Sequence, residues 1–197
     1  MEKTRTISKE KLTSRLKNMS LHYLQRYSSS SANLEKYLRK KVREYNKEAI
    51  AENPEIMTSF NETILEVIAF LEKLGYLNDK LYSKTQLRSL LNKGKSPIAI
   101  NYKLREKGLD VEHITEVVAG KDSQSMELYA LLKFIKRKSF GSFRKPMSEE
   151  LLPKKIEKEI ASLARGGFSY EKIRTTLAME KGDVEDLLYS LEKELDL

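Results

Sequence analysis

The chain has 197 residues, 40% hydrophobic and 34% charged, with 8 Gly, 4 Pro and no Cys. Lacking Cys, it can form neither disulfides nor zinc–thiolate clusters and cannot use thiol catalysis. No apolar run nears the roughly 20 residues of a bilayer span, and the N-terminus has no signal-peptide core, so a cytoplasmic protein with no membrane partner is expected. The formal net charge is +8, and residues 1–48 carry 13 Lys or Arg against 5 Glu while the rest of the chain balances.

Residues 1–8 read as a frayed arm. Helical spacing of Leu12, Leu16, Met19, Tyr23 and Leu24 predicts a first helix from about Lys9 to Tyr27. The Ser28–Ser31 run is a turn in which Ser30 or Ser31 caps a second helix. That helix turns Leu34, Tyr37, Leu38 and Val42 inward, and keeps Arg39, Lys40, Lys41 and Arg43 on or near its outer side. Residues 46–60, with Asn53-Pro54, read as a connection, and a third helix runs from about Asn61 to Leu74, ended by Gly75. Asn78 or Asp79 caps the next helix, whose apolar positions are Leu81, Leu87, Leu90 and Leu91, and Gly94 ends it. Ser96 caps and Pro97 opens a helix that buries Ile100 and Leu104 and closes at Lys107-Gly108. Asp110 caps a short helix through Val118, and Gly120 breaks the chain. A helix over about 125–138 precedes residues 139–147, the best candidate for a mobile joint. Helices over about 153–165, 170–179 and 184–195 complete the chain.

One pattern recurs three times: Leu24-Ser28-Ser30-Leu34-Leu38, Leu90-Gly94-Ser96-Ile100-Leu104 and Leu163-Gly167-Ser169-Ile173-Leu177. In each copy a helix ends, a small residue takes the turn, Ser caps the next helix and two aliphatics one turn apart are buried. Gly94 and Gly167 are therefore expected in left-handed backbone conformation. Repetition of this kind predicts an all-α chain of three helix-turn-helix-like modules of three helices, whose product is a binding surface rather than a catalytic pocket. The expected organisation is a basic arm and start of the first helix (1–15), a first module (16–75) with the 46–60 insertion, and a second module (76–122). A connecting helix and joint (123–147) and a third module with an acidic end (148–197) follow.

Charge is segregated as well. Lys133, Lys136, Arg137, Lys138, Arg144 and Lys145 fall in a stretch with no acid between Glu127 and Glu149, whereas residues 180–197 hold seven acids and two Lys. Arg26, Arg39, Lys40, Arg43, Arg88 and Arg105, extended by Lys136, Arg137 and Lys138, are the candidate residues for contact with a polyanion or an acidic partner, and are expected along one side of the molecule.

Chemistry needs more than these residues supply. His22 and His113 fall in different modules without ligand or triad spacing, so a surface or capping role is expected for each. Lys93-Gly94-Lys95-Ser96 lacks the full phosphate-loop pattern and follows a helix. Glu149-Glu150 and Asp183/Glu185/Asp186 sit at helix starts, where they favour the dipole. Tyr27, Tyr45 and Tyr102 can stack on bases, but packing at the core or its edge is the expected role. No catalytic residue, cofactor or metal site is expected, and the chain does not read as an enzyme.

Gly75-Tyr76-Leu77-Asn78-Asp79, Arg88, then Gly94-Lys95-Ser96-Pro97-Ile98, Ile100, Leu104 and Lys107-Gly108-Leu109 follow one another at spacings that resemble the RecX family of RecA regulators. Leu163-Ala164-Arg165-Gly166-Gly167-Phe168-Ser169-Tyr170 with Ile173 resembles that family's closing block. Tyr23-Leu24-Gln25-Arg26-Tyr27 with Ser28, Ser29, Asn33, Leu34 and Leu38 resembles its first repeat in an α-proteobacterial form. The likeness spans roughly residues 16–190. It departs in Ser96, where Gly is usual, in Asn33 for Glu, in Tyr82-Ser83 for Phe-Ala, and in the long 46–60 connection. Of these, Ser96 and the insertion are the two expected to alter the surface.

The resemblance implies tandem three-helix modules in an elongated curved array. It implies binding in the groove of RecA filaments on single-stranded DNA, and inhibition of ATP hydrolysis, strand exchange and stimulated repressor cleavage. It implies a monomer that binds single-stranded DNA alone weakly and without sequence preference. The alternative is a helix-turn-helix protein reading duplex DNA, with Asn101, Lys103, Arg105 and Lys107 facing a groove.

Overall fold

The structure, a computed structural model, describes residues 8–119 and 121–197. The expected arm, apart from Ser8, and the break at Gly120 lie outside these residues. The described residues form eleven α-helices and two short 3-10 turns and contain no strand, so the chain is all-α. The helices are α1 (Lys9–Leu24), α2 (Ser31–Tyr45), α3 (Lys47–Glu52), α4 (Ile56–Lys73), α5 (Asp79–Asn92) and α6 (Pro97–Glu106). They continue with α7 (Val111–Val118), α8 (Ser123–Lys138), α9 (Leu152–Arg165), α10 (Tyr170–Leu177) and α11 (Lys181–Glu194). The chain divides into two compact units, one ending at Tyr82 with Lys107–Leu109 added, the other made of Ser83–Glu106 and Asp110–Leu197.

In the first unit α4 packs against α1, α2 and α3. Leu12 and Leu16 from α1, Leu34, Leu38 and Val42 from α2, and Phe60, Ile64, Val67, Ile68 and Leu71 from α4 form its core. Each fully buried aliphatic contributes about 1.5–3 kcal/mol. The 46–60 segment is more than a connection. It folds as α3, and α4 begins at Ile56, five residues before the expected start. Ile50, Ile56 and Met57 pack against the core and Phe60 enters it, so the insertion extends the apolar interior.

In the second unit α8 packs against α6, α10 and α11 and buries Met126, Tyr129, Ala130, Leu131, Leu132 and Ile135. The helix expected to connect modules is thus the central helix of its unit. In α5 the expected apolar position Leu81 is exposed, and Tyr82 and Ser83 are buried in its place, beside Leu87, Leu90 and Leu91.

The repeated turns form largely as expected. Ser30 Oγ accepts the Asn33 N–H at 3.2 Å, Ser96 Oγ the Ala99 N–H at 3.3 Å, and Asn78 Oδ1 the Leu81 N–H at 2.8 Å. Gly94 has φ +64° and Gly167 φ +84°, both left-handed. Ser169 departs from the pattern. Its side chain caps nothing, and its own N–H donates to Glu127 Oε1 at 2.9 Å, which ties the start of α10 to α8. Ser96 also differs from expectation: it is 1% exposed, so its replacement of Gly acts inside the unit and leaves the surface unchanged.

Residues 139–144 are fastened rather than free to swing. Gly141 is buried, its N–H donates to Glu159 Oε2 at 3.1 Å, and Arg144 clasps the same carboxylate at 2.9 and 2.6 Å. Glu159, 1% exposed, is matched on both oxygens. Gly and Ser made the segment a poor helix, as expected, but a buried ion pair replaces the missing helical hydrogen bonds and holds it in place.

A Cβ on Gly94 would lie 2.7 Å from the Phe134 backbone nitrogen. Gly94→Ala is therefore expected to destabilise the protein by about 2 kcal/mol or more, from left-handed strain and a clash with backbone that cannot yield. Gly182→Ala, a helical position with open space around it, should stay within about 1 kcal/mol of the native chain. Urea unfolding followed by circular dichroism at 222 nm separates the two variants.

Candidate functional site

In α2 the apolar positions Leu34, Leu38 and Val42 are buried, which sends Lys36, Arg39, Lys40 and Arg43 to the opposite side at helical spacing. With Tyr23 and Tyr37 these four line a depression of about 720 Å³. Their availability differs. Arg39 is committed to Glu35, with both Nε and Nη2 2.7 Å from one carboxylate oxygen. Lys40 approaches Glu44 only to 3.9 Å, and that carboxylate is already taken by Lys41 at 2.7 Å. Lys41 holds Glu44 below the usual carboxylate range through a hydrogen bond. Lys36 and Arg43 are exposed. Sequence reasoning missed Lys36, although its spacing from Arg39, Lys40 and Arg43 is the signal that finds it.

The start of α2 is held as firmly as its apolar face. Asp79 Oδ1 accepts the Ser31 N–H at 2.9 Å and Glu72 accepts the Ser31 hydroxyl at 2.6 Å. The Ser30 hydroxyl donates to the Lys107 carbonyl. Beside this end lies an aromatic stack. Tyr37 and Tyr23 are stacked with ring centres 4.4 Å apart and planes at 27°, and Tyr27 tilts against Tyr23 at 5.3 Å. Tyr27, Tyr45 and Tyr102, expected to pack at the core or its edge, are 58%, 56% and 64% exposed. Arg26 is exposed next to Tyr27.

The other candidate cations, Arg88, Arg105, Lys136, Arg137 and Lys138, belong to the second unit. There the acidic last helix answers the basic stretch. Lys133 pairs with Glu192 at 3.0 Å and Lys136 with Glu185 at 3.2 Å. Tyr129 OH lies 2.7 Å from Asn92 Oδ1 and 2.8 Å from Glu192 Oε1. Burial, with the Glu192 hydrogen bond, pushes the Tyr129 phenol above its ordinary range, so it stays protonated. Arg137 lies over the Phe134 ring at 5.4 Å. Lys133, Lys136 and Arg144 of the expected basic stretch are therefore in ion pairs, while Lys138, and outside the stretch Arg88 and Arg105, are exposed.

On α6 Ile98 is 74% exposed, with Tyr102 one turn on at 64%. Lys103 is 3.8 Å from Glu106, and Asn101 and Arg105 are exposed beside the two apolar residues. That mixture does not suit a helix reading a DNA groove. Among the described residues no group of three or more His, Asp or Glu is placed to hold a metal. His113 has its N–H and its ring Nδ1 both 2.8 Å from Asp110 Oδ1, the cap of α7. No helix is long and apolar enough to cross a membrane, among the described residues.

Residues 78–118 match the family model described as RecX, second three-helix domain. The chain is 31% identical over 156 residues to Regulatory protein RecX of Myxococcus xanthus, covering 79% of this chain and 80% of that protein. It is 31% identical over 121 residues to the protein of the same name from Shewanella oneidensis, covering 58% and 94%. It is 30% identical over 122 residues to that from Vibrio cholerae, covering 62% and 75%. No solved structure matches the chain.

Two carboxylates of the second unit couple its stability to pH. Burial pushes Glu127 up, but the Lys172 ammonium at 2.7 Å and the Ser169 N–H outweigh it and hold the carboxyl below its ordinary 4.5. Lys133 and Tyr129 do the same for Glu192. A depressed carboxylate contributes stability above its unfolded pKa and loses it as pH falls through the folded value. The melting temperature is expected to drop as pH falls from about 5 to about 3, and Glu127→Gln, less stable near neutrality, should show a smaller drop. Calorimetric scans across that range check it.

Proposed function

The chain belongs to the RecX family, and from that membership we propose that it regulates the RecA recombinase. It binds RecA filaments on single-stranded DNA in the filament groove, and it lowers ATP hydrolysis, strand exchange and stimulated repressor cleavage. It acts as a cytoplasmic monomer and as a binding protein, not an enzyme. The observation that carries this is the outer side of α2. There Lys36, Lys40 and Arg43 project from a helix whose other side is fully buried, with the nearby acids Glu35 and Glu44 already paired to Arg39 and Lys41. Such a row suits phosphates or acidic patches presented by a filament. Arg26 in the first unit and Arg88, Arg105 and Lys138 in the second are proposed as further contact residues, each within its own unit, and the three repeat modules are the proposed units of binding.

Duplex recognition by α6 is the lesser proposal, because Ile98 and Tyr102 dominate that helix's exposed side. Titrating the protein into RecA, single-stranded DNA and ATP while following phosphate release tests the reading. Hydrolysis should fall at protein concentrations well below that of RecA, and charge reversal of Lys36, Lys40 and Arg43 together should raise the concentration needed by about tenfold or more. Unchanged hydrolysis at equimolar protein would overturn it.

A further inference from the structure

Near α2 an exposed aromatic ring and a row of exposed cations stand beside a depression, while Tyr23 and Tyr37 pack on their inner side against the core. Tyr27 is 58% exposed, yet it is braced by Tyr23, which is itself stacked on Tyr37. Tyr23 and Tyr37 line the same depression as Lys36, Lys40 and Arg43. The depression, at about 720 Å³, is in the size range of clefts that take a small ligand or one nucleotide. A braced aromatic ring beside a row of cations is what unpaired nucleic acid requires, since an unpaired base offers its flat face and each nucleotide brings a phosphate. Duplex bases are already stacked on one another and gain nothing from such a ring.

The comparison with Tyr45, at the far end of the same helix, sharpens this. Tyr45 is nearly as exposed, but the Arg15 guanidinium lies 4.7 Å and the Lys41 ammonium 5.8 Å from its ring centre. Its π-face already serves cations. Among the described residues no cation lies over Tyr27. The equivalent helix of the second copy differs as well. Counting from Leu34 and Ile100, Lys36 falls at the position of Tyr102 and Ala32 at that of Ile98. At one of these two positions the first copy therefore places a charge, Lys36, where the second places an aromatic ring, Tyr102.

We propose that the Tyr37–Tyr23–Tyr27 stack and the Lys36, Lys40, Arg43 row form one binding site for single-stranded DNA. A base stacks on the exposed Tyr27 ring, and the backbone follows α2, whose cations from Lys36 to Arg43 span about 10 Å along the helix. The site deepens the regulatory function and rests on it for the choice of DNA among polyanions. Glu35 and Glu44 also line the depression, but Arg39 and Lys41 neutralise them at 2.7 Å each.

The test uses the whole protein and a fluorescein-labelled oligothymidylate of about 20 nucleotides at low salt, read by anisotropy, with no RecA present. Failure of the site and failure of RecA regulation are therefore separate results. Tyr27→Ala should weaken binding about fivefold or more, and Tyr27→Trp should bind at least as tightly as the native chain. The triple variant Lys36→Gln, Lys40→Gln, Arg43→Gln should lower the slope of log affinity against log salt by about 2. Melting temperatures of all variants should match the native one, since these side chains are exposed. Native-like binding by Tyr27→Ala, or equally tight binding of a duplex of the same length, would overturn the proposal.

Discussion

A buried serine hydroxyl that serves two helices at once is the constraint on which the rest depends. Ser96 Oγ accepts from Ala99 N–H at the start of α6 and donates to the Gly166 carbonyl at 2.6 Å at the end of α9. Ser30 repeats the device in the first unit, accepting from Asn33 N–H and donating to the Lys107 carbonyl. In both cases the residue after the accepting carbonyl is a left-handed glycine, Gly167 or Gly108, packed against that serine. A Cβ there would sit 2.8 Å from Ser96 Oγ or 3.1 Å from Ser30 Oγ. Each joint satisfies one backbone N–H and one backbone C=O, all part-buried, and each such bond contributes about 1 kcal/mol. Ser30 with Gly108, and Ser96 with Gly167, are thus two halves of one lock, contributed by different parts of the chain.

With the ends of helices fixed this way, charge is free for other tasks, and the two units use it differently. In the second, Glu192 and Glu185 of α11 are spent on Lys133 and Lys136 of α8, and Glu159 on Gly141 and Arg144. These pairs set the positions of helices around α8. In the first, Glu35 and Glu44 neutralise Arg39 and Lys41, which leaves Lys36, Lys40 and Arg43 as the exposed row. The net +8 of the chain therefore overstates the cationic surface available in the second unit and locates much of what remains on α2.

The helices were legible in the sequence because period 3.6 and punctuation agree. Leu34, Leu38 and Val42 predicted the buried side of α2, and Gly94 and Gly167 its left-handed counterparts at helix ends. What escaped was long-range. Nothing local says that Glu127 will accept the Ser169 N–H, or that Glu159 will pin Gly141 from 18 residues away. The 139–147 segment was read as a joint because Gly, Ser and Pro weaken helices, and weak helical propensity is silent about tertiary partners. Among the candidate site residues, the α2 cations followed from spacing. The i,i+4 spacing of Glu35 and Arg39 on α2 already points to their pairing, whereas nothing in the sequence position of Lys136 reveals that it meets Glu185, 49 residues away.

The central claim is that the α2 row is a surface for recognition and contributes nothing essential to folding. Binding of the Lys36→Gln, Lys40→Gln, Arg43→Gln variant to RecA filaments on single-stranded DNA, measured across a salt series beside its melting temperature, tests this most directly. The account predicts a native melting temperature, weaker binding and a flatter salt dependence. Native binding at every salt concentration, or a loss of affinity matched by a loss of stability, would contradict it.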